Sequence, residues 1–109
     1  GLVVQAALPR SSASSPSAIH YYNLATAEDV LGRPFDAMQH YRMASEKSPQ
    51  QPMFALREAW LARRIGRFDL ALSALDRLDA MPQVREEVRD AARAERRQIE
   101  AKMSQARPR

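Results

Sequence analysis

The chain contains no cysteine among its 109 residues, which excludes disulfide staples, thiolate metal sites and a cysteine nucleophile and leaves the redox compartment open. Its two histidines, His20 and His40, belong to no His/Cys/carboxylate spacing that would hold a metal ion. Glycine is just as scarce, with three residues in all, so there is no glycine-rich loop to cradle a phosphate. No stretch approaches the roughly eighteen apolar residues that a membrane-spanning helix needs. β-Branched residues are few as well, which removes the usual support for strands. These absences exclude most routes to catalysis, and the sequence offers neither an enzyme site nor a cofactor site.

What is plentiful is alanine, leucine, arginine and glutamate, so local propensity favours helix almost everywhere after residue 17. Hydrophobic residues make up 45% and charged residues 28%, a balance suited to one modest helical core. The net charge of +4 is uneven. Residues 1–80 hold nine Lys/Arg against eight Asp/Glu, whereas residues 81–109 hold eight against five.

The strongest pattern is a repeat. Gly32-Arg33-Pro34-Phe35-Asp36-Ala37 returns as Gly66-Arg67-Phe68-Asp69-Leu70-Ala71, an offset of 34 residues. At that offset Ala25 falls on Ala59, Leu31 on Ile65, Arg33 on Arg67 and Tyr41 on Leu75. Small residues therefore recur where helices must approach closely, and large ones where a gap must be filled. A fixed period of this length marks a helical repeat. Each unit would be a helix, a glycine turn and a second helix, stacked because one hairpin cannot cover its own apolar face.

Residues 18–82 resemble the tetratricopeptide repeat family. Tyr21, Leu24, Ala25, Gly32, Ala37, Tyr41, Ala44 and Pro49 supply its pattern in the first copy. Ala59, Gly66, Ala71 and Leu75 supply it in the second, where Ala55, Glu58 and Leu78 depart from the consensus and Pro82 comes one residue early. The resemblance implies an all-α fold of about five helices: two hairpins in a right-handed stack, closed by a C-terminal capping helix.

The boundaries follow from breakers and caps. The first helix should span residues 18–31, with Ser17 as N-cap and Gly32 as terminator. The second starts near Pro34, where a missing N–H costs nothing, and ends near Lys47 before Pro49. Gln50-Gln51-Pro52 would form the turn between repeats, and the next two helices should cover residues 53–65 and 68–80. The last is expected over residues 83–104, with its first half packed on the fourth helix and Glu95 interrupting the apolar face made by Val84, Val88, Ala91 and Ala92 before Ile99 and Met103 resume it. Residues 105–109 should fray. Residues 1–17, with the apolar run Leu2 to Leu8 and then a Ser/Ala/Pro stretch, read as a disordered linker, a signal-sequence tail or an organellar transit segment, or as a ligand, with Leu2 to Leu8 folding onto a groove or a partner.

In the family the first helix of each unit lines a concave groove. Carried over by position, the groove would comprise Ile19, Tyr22, Thr26, Asp29 and Val30, then Met53, Leu56, Trp60, Arg63 and Arg64. The resemblance thus implies a non-enzymatic scaffold that binds a protein or peptide, with Tyr22 and Trp60 as anchors, Met53 and Leu56 as the apolar floor, and Arg63 and Arg64 selecting acidic character. Tyr22 and Thr26 stand where the chaperone-binding members need lysine and asparagine to clamp a terminal carboxylate, so that specificity is not expected. Glu28 and Asp29 are adjacent and diverge on a helix, and His40, next to Tyr41, should face outward.

Two other readings compete. Two repeats are fewer than the three or so that such arrays usually need, which points to self-association or to a piece of a longer array. Arg85, Arg89, Arg93 and Arg97, with Arg96, Lys102, Arg107 and Arg109, form a basic row that could meet nucleic acid. Glu86, Asp90 and Glu100 interleave with it and no aromatic lies there to stack on a base, so a solvated face is preferred. Met81-Pro82-Gln83-Val84 followed by Val88 faintly resembles the end of repeat regions that precede outer-membrane barrels. With the leader-like beginning, this favours a bacterial envelope setting over a cytoplasmic or organellar one.

Overall fold

The computed structural model describes residues 17–106. Its element order is α1 (Ala18–Val30), α2 (Pro34–Lys47), α3 (Pro52–Arg64), α4 (Phe68–Asp79) and α5 (Glu86–Ala106), with no strand among the described residues. The protein is an all-α stack. α1 packs on α2 and α3 on α4 as two hairpins, α2 joins them through α3, and α5 lies against both α3 and α4.

The turn chemistry explains the repeat. Gly32 and Gly66 hold φ of 77° and 81°, a left-handed conformation that an L side chain adopts only at a cost. Around them the hydrogen bonds are duplicated. Leu31, Gly32 and Arg33 donate their N–H groups to the carbonyls of Ala27, Asp29 and Glu28. Ile65, Gly66 and Arg67 donate theirs to Leu61, Arg63 and Ala62. α1 and α3, like α2 and α4, begin 34 residues apart, so the period written in the sequence is also the period of the backbone.

The helix starts follow local rules. Ser17 Oγ accepts from the His20 N–H at 3.3 Å, an N-cap bond. Pro34 and Pro52 occupy the first turns of α2 and α3, where no N–H is needed. Pro52 therefore belongs to α3 and not to the preceding turn. α5 starts three residues later than expected, at Glu86, because the Arg85 carbonyl receives the first helical bonds, from Val88 and Arg89. Glu86 and Glu87 then place negative charge in the first turn, where the helix dipole favours it. The helix also continues through Gln105 and Ala106, two residues past the expected end; residues 1–16 and 107–109 lie outside the described residues.

The core is built on alanine. Ala25, Ala37, Ala44, Ala55, Ala59, Ala62, Ala71 and Ala74 are fully enclosed, and Tyr41, Leu61, Leu75, Leu78 and Ile99 fill the space between them. Leu24, by contrast, is partly open to solvent. His40 does not face outward: its Nδ1 lies 2.6 Å from Glu28 Oε1 and its ring stacks on Tyr21 at 6.0 Å. The reason is the buried Glu28, which needs a partner on α2 that the sequence pattern does not reveal.

Glu58 is also buried, and Arg77 donates to it at 2.8 Å while reaching Ser45 Oγ at 3.3 Å. Burial raises the Glu58 pKa above the usual carboxylate range, and the hydrogen bond and charge of Arg77 only partly offset it. A raised folded-state pKa means that protonation favours the native state. Its contribution is fully present below the unfolded value of about 4.3 and is lost as pH rises through the folded value. Urea titrations between weakly acidic and neutral pH should therefore show the parent losing stability relative to Glu58→Gln as pH rises. An opposite trend would mean that pairing with Arg77 outweighs burial.

At Gly32 there is open space for a Cβ, so substitution tests backbone strain alone. Gly32→Ala should lower the unfolding free energy by about 1–2 kcal/mol, and Gly32→Asn by less, because asparagine tolerates the left-handed region better.

Candidate functional site

α3 and α5 lie side by side, and a cavity of about 270 Å³ opens between them. Met53, Leu56, Arg57 and Trp60 of α3 line one wall, and Ala91 and Glu95 of α5 line the other. Spacings of three and four residues place the α3 set on one helical face. Three residues assigned to the groove from sequence, Met53, Leu56 and Trp60, therefore share one apolar pocket.

Charges brace both flanks of α3. Arg63 Nε donates to Glu95 Oε1 at 2.7 Å, and both side chains are largely shielded from water. This pair is why Glu95 does not interrupt the face of α5. The helix stays packed from Val88 through Ala92 to the fully buried Ile99, well past its first half. On the other flank Arg64 Nη1 reaches Asp29 Oδ1 and Oδ2 of α1 at 3.3 and 3.4 Å, and its guanidinium lies 4.5 Å from the Trp60 ring centroid. Arg57 approaches the same ring at 5.5 Å. Two cations therefore approach the Trp60 ring, a contact worth about 0.5–1 kcal/mol each when exposed.

The remaining assigned residues take other parts. The Tyr22 ring is half-buried against Tyr41 and Phe54 at 5.6 and 5.4 Å, so it ties α1 to α2 and α3 and is not a free anchor. Thr26 Oγ1 donates to the Tyr22 carbonyl at 2.9 Å and accepts from Tyr41 Oη at 3.1 Å, because its single proton is already committed. Ile19 and Val30 stand open to solvent on α1, Val30 being 81% exposed. Arg63 and Arg64 already have carboxylate partners within the chain. Arg57, absent from the groove set read from sequence, has none among the described residues, and its position one turn before Trp60 was the signal that could have found it.

Comparison with known protein families, curated proteins and solved structures found no match. Among the described residues no cluster of His, Asp and Glu could hold a metal ion, and no helix is long and apolar enough to cross a membrane. No buried side-chain nitrogen or oxygen there lacks a hydrogen-bond partner.

The basic row on α5 is consumed in part by intramolecular bonds. Arg89 donates to the Met81 carbonyl at 2.8 Å, Arg93 pairs with Glu86 and Asp90, and Arg96 bridges Asp76 and Asp79 of α4 at 3.1 and 2.9 Å. A larger cleft of about 340 Å³ lies where Ser45, Glu46, Pro49 and Gln50 meet Arg77, Ala80 and Met81. Its one cation, Arg77, is already held by Glu58 and Ser45.

If the Arg63–Glu95 pair fastens α5, Glu95→Ala leaves a shielded guanidinium without its partner, a loss of about 1–3 kcal/mol. Hydrogen exchange should then quicken in the amides of α5 while those of α1 and α2 keep their protection.

Proposed function

We propose that this chain is a non-enzymatic, tetratricopeptide-like interaction module that holds a peptide segment of a partner protein against α3 and α5. The observation that carries the reading is the apolar cavity walled by Met53, Leu56, Trp60 and Ala91. It is open, it is built from rigid helices, and aromatic side chains flanked by arginine are the usual anchors of interfaces. The 34-residue recurrence of helices, glycine turns and turn hydrogen bonds supports the family assignment. The fully paired buried polar groups suit a scaffold, in which side chains are committed to structure and the open surface is left for recognition.

Self-association is the second reading, favoured by Val30, Leu31 and Phe35 around the α1–α2 turn, each more than half exposed at 81%, 72% and 58%. Sedimentation equilibrium over a range of concentrations decides it: a concentration-dependent dimer, abolished by Leu31→Glu with Phe35→Glu, supports it, and a monomer throughout sinks it.

For the peptide reading the experiment is selection of a random peptide library displayed on phage against the intact chain. Enriched peptides should bind with micromolar dissociation constants and lose about tenfold or more on Trp60→Ala, with the helical circular dichroism unchanged. Unfolding of the variant would instead place Trp60 in the core, and failure to enrich any peptide would remove the reading.

A further inference from the structure

Resting on that reading, we infer that the segment held between α3 and α5 is acidic, presenting one large apolar side chain to the cavity and a neighbouring carboxylate to Arg57. The argument is one of charge and place. Two guanidinium groups approach the Trp60 ring, those of Arg57 and Arg64. Asp29 is already bound to Arg64, and Glu95, the carboxylate that lines the cavity, is already bound to Arg63. Arg57 is left with the π face of Trp60 at 5.5 Å and no carboxylate among the described residues. It also lines the cavity itself, so its positive charge stands at the mouth of an apolar pocket. A guanidinium half-shielded from water and lying on an aromatic ring has lost part of its hydration, and a carboxylate accepting from it would form a charge-assisted hydrogen bond.

The wall opposite makes the site selective. Glu95 closes the α5 side of the cavity with its charge already balanced by Arg63, so a basic segment gains little there, whereas an acidic one finds at Arg57 a cation that has no carboxylate among the described residues. Like-charge placement against the remaining arginines disfavours the basic segment further. Residues 1–16 carry Arg10 and no aspartate or glutamate, so they do not supply the carboxylate that this site calls for.

Trp60 is the chain's single tryptophan, so its fluorescence reports on this pocket alone. The test titrates the intact chain with three acetylated and amidated octapeptides, each carrying one phenylalanine flanked by two glutamates, two glutamines or two lysines. The glutamate peptide should quench or shift Trp60 emission and bind about tenfold more tightly than the glutamine peptide, with the lysine peptide weakest and the advantage shrinking as salt is raised. Arg57→Gln should erase the difference between the glutamate and glutamine peptides with the circular dichroism as it was, and Arg57→Lys should restore part of the difference. Equal binding of the three peptides, or a glutamate preference that survives Arg57→Gln, overturns this inference and leaves the peptide-module reading standing. Library selection that enriches only peptides without carboxylates does the same. No binding by any octapeptide together with no enrichment from the library removes both.

Discussion

The fold depends on close approach between helices, and the residue that permits it is alanine. Eight alanines with no exposed surface lie along the contacts of α1 to α4, and Ala92 continues the seam onto α5. An alanine at a crossing lets two backbones come near and loses no side-chain entropy on burial. It also leaves little volume to fill, so a few large side chains suffice: Tyr41, Leu61, Leu75, Leu78 and Ile99 complete the packing. The core of this chain is therefore thin and intolerant of larger residues at its seam, since overpacking a close crossing forces the helices apart.

Onto that seam the chain adds one polar tie for nearly every pair of neighbouring helices. Glu28 meets His40 between α1 and α2, Asp29 meets Arg64 between α1 and α3, and Glu58 meets Arg77 between α3 and α4. Arg63 with Glu95, and Arg96 with Asp76 and Asp79, fasten α5. The exposed members of this set contribute little to stability. Those with a shielded partner matter more for placement than for net energy, because a buried charge without its partner is costly and so specifies which helix lies opposite.

The same ties shape the proposed site. α3 is held from one side by Asp29 and from the other by Glu95, so Met53, Leu56 and Trp60 are presented on a helix whose rotation is fixed. Pre-organisation of this kind reduces what must be ordered when a partner arrives. It also separates the arginines that maintain the scaffold, Arg63 and Arg64, from Arg57, which is available at the cavity mouth.

Much of this architecture was legible in the sequence. The glycines at 32 and 66, the prolines at 34 and 52 and the alanines at a 34-residue offset determine where the chain turns and which faces meet, because turn geometry, capping and close packing depend on single residue types at fixed spacing. Met53, Leu56 and Trp60 could be placed on one face for the same reason. What the sequence did not contain was the pairing of charges across helices. That Glu95 would reach Arg63, that Glu28 would draw His40 inward, that Tyr22 would be spent on Tyr41 and Phe54, and that Arg57 would be the arginine left over were decided by the tertiary structure alone. Long charged and aromatic side chains can choose among several neighbours within reach, and only the packed arrangement of the helices determines which neighbour is there.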